Sequence, residues 1–103
     1  GPHVTRAVEV YKKKFIAYSM GNFNTYGTFN LNGPNGMAPL LDIKLDRKGN
    51  FLYAKVISTQ QSKANGLELD PNHKVFEEIK RLTKTDFPET PLVFKDNHIR
   101  LSE

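Results

Sequence analysis

A sequence of 103 residues supports one small domain with a modest core. Its content of 38% apolar and 11% aromatic residues excludes a disordered tail, and the lack of cysteine excludes disulfides, thiol chemistry and any Cys-based zinc site. The net charge of +4 is scattered apart from Lys12-Lys13-Lys14 and the end of one helix, which predicts no nucleic-acid face, and no apolar run approaches the roughly 20 residues that span a bilayer.

Along the chain, Thr5–Tyr11 and Phe15–Met20 alternate and are rich in β-branched or aromatic residues, with Lys12-Lys13-Lys14 between them. They predict a hairpin whose turn is a solvated lysine run. Gly21 ends the pattern. The Asn22–Gly36 stretch is punctuated by Gly, Asn and Pro around Phe23, Tyr26, Phe29 and Leu31. A loop of that length in a small domain is expected to be functional or docked on something.

A second hairpin follows. Leu41, Ile43 and Leu45 alternate with Asp42 and Lys44, which predicts a strand with one buried face. Asp46–Asn50 predicts a type I turn with Gly49 in the left-handed region. Phe51–Ser58 returns with two largely apolar faces, Phe51/Tyr53/Ile57 and Leu52/Ala54/Val56, and is expected to be interior and covered on both sides. Thr59–Gly66 reads as a polar linker.

Asp70 and Pro71 predict a helix start, with Asp70 as N-cap and Pro71 at the first helical position. Val75, Phe76, Ile79 and Leu82 form its apolar stripe, and Glu77–Arg81 is expected to be an i,i+4 pair. Phe87-Pro88 ends the helix, and Leu92–Phe94 and His98–Leu101, on either side of a polar turn at Lys95-Asp96-Asn97, suggest a small closing hairpin. The predicted fold class is α+β: antiparallel hairpins forming a sheet against one main C-terminal helix. The units are 1–23, a loop end plus hairpin; 24–36, a long loop; 37–58, a hairpin; 70–85, the helix; and 90–103, a tail.

Taken alone, the residues contain no catalytic constellation. His3, His73 and His98 are far apart, and Asp42, Asp46, Asp70, Asp86 and Asp96 each read as strand-face, turn or cap residues. There is no glycine-rich phosphate loop and no Ser or Cys nucleophile motif. His3 differs by its position, on a loop feeding a strand, where an imidazole is well placed to meet a divalent metal.

Its surroundings sharpen this. Pro2-His3-Val4, Val8-Glu9-Val10-Tyr11, the lysine turn and Tyr18-Ser19-Met20-Gly21-Asn22-Phe23 stand in that order from Pro2 to Phe23. The run resembles a signature of the bacterial CapA-like family of capsule or poly-γ-glutamate biosynthesis proteins, whose fold is similar to that of calcineurin-like metallophosphatases. The resemblance implies that His3 matches the second His of the family's last metal-site loop and that Asn22 lies near the same site. The first His of that loop and the upstream Asp, Asn/Glu and His motifs are absent here.

The resemblance therefore implies the C-terminal part of a larger metallophosphatase-like sandwich, inactive alone and without a cofactor of its own. The whole protein would hold a divalent metal, act as a phosphoesterase-like hydrolase and work in the cell envelope or outside the cytoplasm. Its partner would be the remainder of the parent chain, and apolar surface exposed without that partner would favour self-association. The alternative is a free-standing module that binds a protein or glycan through the aromatic Asn/Gly-rich loop.

Overall fold

The computed structural model describes residues 3–23 and 31–102. It shows seven strands and one helix among these residues: β1 Val8–Tyr11, β2 Lys14–Ala17, β3 Met37–Leu45, β4 Phe51–Ser62, β5 Gly66–Leu69, α1 Lys74–Asp86, β6 Leu92–Lys95 and β7 His98–Leu101. A 3-10 turn at Gly33–Gly36 leads into β3.

β1 and β2 form the predicted first hairpin as a two-stranded antiparallel sheet, with Tyr11 opposite Lys14. That register leaves a two-residue turn, Lys12-Lys13, with φ of 50° and 69°. Positive φ at both central residues is the type I′ geometry that matches strand twist. The ladder is irregular beyond the named strands but resumes at a Thr5–Met20 bridge, helped by the Arg6 N–H donating to the Ser19 carbonyl at 3.0 Å.

The larger sheet has the order β3-β4-β7-β6, with β5 pairing β4 beside β7. β4 is interior by pairing, as expected, but covered on one face only. Ala54 and Val56 face α1 and are fully buried, whereas Leu52 is 47% exposed and Tyr53 and Ile57 are half-buried. The two-face reading of Phe51–Ile57 fails because the register slips opposite Lys44–Leu45, where Leu45 faces Phe51 and Lys44 faces Tyr53. The extra residue, Leu52, is a β-bulge, and it places Phe51 on the same side as Ala54 and Val56. Phe51 is then stacked by Phe15 at 4.8 Å between ring centres.

The face predicted for Leu41, Ile43 and Leu45 is buried only at its inner end: Leu41 is half-buried, while Ile43 and Leu45 are exposed. β3 is the sheet edge, so its outer half has a neighbour on one side only. The segment read as a polar linker is instead strand. β4 runs on to Ser62 and turns through residues 63–65 into β5, with Thr59 opposite Leu69. Thr59 and Gln61 are buried polar residues there, which is why hydropathy did not reveal it.

The helix starts three residues later than expected, at Lys74 instead of Pro71. Pro71 and Asn72 form a turn, and His73, with φ 53°, is the N-cap and makes no capping bond through its side chain. Asp70 still acts as the cap from a distance: its Oδ1 accepts from the Asn72 N–H at 2.9 Å and its Oδ2 from the Lys74 N–H at 3.0 Å. Burial pushes the Asp70 carboxyl up, but those two N–H bonds and the nearby Lys74 and His73 charges pull it below the ordinary range overall. Arg81 pairs with Glu78, not Glu77, at 2.6 Å.

The closing hairpin forms as predicted, with its turn narrowed to Asp96-Asn97: Lys95 is the last residue of β6, and His98 is the first of β7. One core joins all of this: Val8 from β1, Phe51, Ala54 and Val56 from β4, Val75, Phe76 and Ile79 from α1, Phe94 from β6 and Ile99 from β7. The fold is thus a small mixed α and β unit with two sheets and one helix.

Candidate functional site

His3 and Asn22, nineteen residues apart, meet where the ends of the first hairpin come together. Three contacts hold those ends. The Thr5–Met20 bridge closes the ladder, and the buried Thr5 hydroxyl donates to the Met37 carbonyl at 3.0 Å. Gly21, with φ 70°, lets the backbone come so close that a methyl group built on it would stand 2.8 Å from the Met37 oxygen. Only glycine takes that conformation and that proximity without strain.

Asn22 is buried, at 3% exposure. Its Nδ2 donates to the Asn35 carbonyl at 3.0 Å, in the 3-10 turn before β3. That bond orients the amide, so the atom facing His3 is Oδ1, which can only accept. His3 Nδ1, 3.0 Å away, is therefore the donor. In the neutral ring the lone pair then resides on Nε2. A histidine whose Nδ1–H is fixed by an oxygen acceptor is oriented as metal-binding histidines are. His3 itself has φ 56°, a region where non-glycine residues cost on the order of 1 kcal/mol and which clusters at functional sites.

The hairpin carrying this pair is fastened to the far end of the chain. The Val8 N–H donates to the Thr83 hydroxyl of α1 at 3.1 Å, and the Val10 N–H to the Thr90 hydroxyl at 3.1 Å. Tyr18 stacks on Phe87 with centroids 5.1 Å apart. At the other tip, the Phe51 N–H donates to the Lys13 carbonyl at 2.8 Å, and Lys14 Nζ bonds the Lys48 carbonyl at 2.7 Å.

With this geometry in view, the family comparison is specific. Residues 1–26 match PGA_cap, the bacterial capsule synthesis protein. The CapA-like resemblance carried by Pro2–Phe23 is borne out over the same stretch. No curated protein and no solved structure matches the chain. The matched segment is not an appendage, since Val8 sits in the common core and hydrogen-bonds a residue 75 positions later.

The other sequence candidates stay apart. His73 is exposed before α1, and His98 is on β7 with its Nδ1 2.8 Å from the Asp96 carbonyl. Asp46 has a turn role: the Asn50 N–H above all holds its carboxyl below the ordinary range against the burial effect, with the Asn50 side chain, the Lys48 N–H and the Lys14 charge adding smaller pulls. Tyr26 and Phe29 of the long loop lie outside the described residues, and Phe23 is 41% exposed. Among the described residues no three His, Asp or Glu side chains form a metal-binding group, and no helix is long and apolar enough to cross a membrane. Thr5, Asn35 and Thr83 were not singled out from sequence, because isolated Thr and Asn residues carry no periodic signal.

Proposed function

We propose that the chain is the C-terminal segment of a CapA-like capsule protein, and that it presents His3 as one ligand of a divalent metal centre. The observation that carries this reading is the His3 Nδ1–Asn22 Oδ1 bond inside the segment that matches the capsule synthesis family. Asn22 is the positioning residue: held by Asn35, it sets the imidazole tautomer and ring plane.

One histidine fits as a ligand but cannot hold a metal alone, and three or four donors are the usual minimum. The described residues supply no such group. On this reading the remaining donors come from outside them, in a larger metallophosphatase-like protein, and the isolated chain is without activity. A bound divalent cation would supply Lewis-acid polarisation of a phosphoryl or related oxygen. Poly-γ-glutamate is the surface polymer proposed for the parent's pathway.

Complementation tests this. In a capsule-forming host that depends on the full-length protein, His3→Ala is expected to abolish surface polymer while protein level and solubility stay unchanged. Wild-type polymer from the His3→Ala strain would overturn the reading. The isolated chain with Mn²⁺ is expected to show no phosphomonoesterase turnover.

A further inference from the structure

β3 is an edge strand, and among the described residues no strand pairs with its outer side. The hydrogen bonds of β4 fix which peptide groups β3 turns outward. The Val56 N–H donates to the Asn97 carbonyl, and the Ser58 carbonyl accepts from the Asp70 N–H. Even-numbered residues of this part of β4 therefore point their peptide groups away from β3. Its odd-numbered residues Lys55 and Ile57 point toward β3, where they stand opposite Asp42 and Leu40. Alternation then turns the N–H and carbonyl groups of Leu41, Ile43 and Leu45 outward. The Met37 carbonyl, in the same phase, accepts the Thr5 hydroxyl, and Pro39, also in phase, has no N–H to offer. The open stretch of the edge is Leu41–Leu45.

The side chains of this stretch are open as well. On one face Leu41 is half-buried, Ile43 is 37% exposed and Leu45 is 52% exposed. On the other face Asp42 and Lys44 are exposed, with Nζ and Oδ1 3.4 Å apart. An apolar run and a pair of opposite charges, both beside unpaired peptide groups, are what an added strand would use.

We infer that β3 pairs antiparallel with β3 of a second copy, about a two-fold axis at Ile43, so that one sheet runs through both chains. In that register Ile43 opposes Ile43, Leu41 opposes Leu45, and Asp42 opposes Lys44. The outward peptide groups meet as hydrogen-bonded pairs. The charged residues fall at the positions between, where opposed side chains come closest. Each Asp42 then lies between Lys55 of its own β4, opposite it, and Lys44 of the other copy. A lysine on a sheet edge ordinarily keeps other strands away, but here an acid two residues earlier makes the strand complementary to itself. Other registers fail this match. An axis at Asp42 or Lys44 keeps the peptide phase but sets Asp42 against Asp42 or Lys44 against Lys44. An axis at Leu41 sets Ile43 against Pro39, which has no N–H. This surface is independent of the His3 reading.

Sedimentation equilibrium of the full 103-residue chain tests this. A monomer–dimer equilibrium is expected, with a dissociation constant of about 1 mM or tighter. Asp42→Lys and Lys44→Asp each set like charges against each other twice across the axis, and each should weaken self-association about tenfold or more. Both positions are exposed, so both variants should keep the wild-type amide spectrum outside β3. Mixing the two variants puts lysine opposite aspartate again. The mixture should therefore associate about tenfold or more tightly than either variant alone. The inference fails if the wild type stays monomeric, or if it grows beyond a dimer, which a closed two-fold pairing forbids. It fails equally if the substitutions leave self-association unchanged or the mixture does not restore it, since the contact would then lie on another surface.

Discussion

Gly21 and Asn22 sit next to each other and do opposite work. Gly21 removes bulk so that the hairpin end can press against Met37, and Asn22 fills the buried space beside it with an amide whose two ends are both used. Gly21→Ala adds a methyl against a backbone oxygen at φ 70°. The left-handed region alone costs about 1–2 kcal/mol for an L-residue, and the contact adds to that. A stability loss of about 2 kcal/mol or more is expected in urea unfolding, with disturbed amide signals from residues 3–23. An unchanged midpoint would show that this end of the hairpin is not docked.

Asp70 makes the pH dependence explicit. Its folded-state carboxyl lies below the ordinary value of 3.8. A group lowered on folding stabilises the fold above its unfolded pKa and loses that contribution as pH falls through the folded one. Stability is therefore expected to hold down to about pH 4 and then decline, and Asp70→Ala should flatten the decline contributed by this residue. The same variant should cost about 1–2 kcal/mol at neutral pH, as lost helix caps do. Chemical unfolding of both proteins across pH 2–7 measures this.

Among the elements, α1 links the family-matched segment to the rest. Thr83, fully buried at 1% exposure, accepts the Val8 N–H through its hydroxyl. Thr83→Val keeps the volume and leaves that buried N–H without its acceptor, at a cost of about 1–3 kcal/mol. Hydrogen exchange should show β1 and β2 losing protection first, and uniform loss across the domain would contradict a local tether. This link could not be read from sequence, where the helix stripe appeared to end on Leu82. Helix, hairpins and their order were legible because alternation, turn residues and 3.6-residue spacing are local signals. The β4–β5 pairing was not, because Thr59, Gln60, Gln61 and Ser62 look polar and are held by strand partners. Nor was the bulge at Leu52, which depends on its neighbour's register.

At the scale of the whole molecule, the first 26 residues carry the family match, and the later elements supply the scaffold that fixes the hairpin within them. His3 was singled out from its loop position and its motif, and the structure sets it against Asn22. What sequence could not supply was the reason for that pairing, namely an amide oriented by the Asn35 carbonyl thirteen residues away. The central proposal is that His3 is a metal ligand in a longer protein resembling the capsule synthesis family. Its most direct test is the metal content of that protein, purified in wild-type and His3→Ala forms and measured by elemental mass spectrometry. The account predicts a divalent metal in the wild type and an affinity about 10–100-fold weaker or worse in the variant, at unchanged fold. Equal metal content in the two proteins, or none in the wild type, would contradict it.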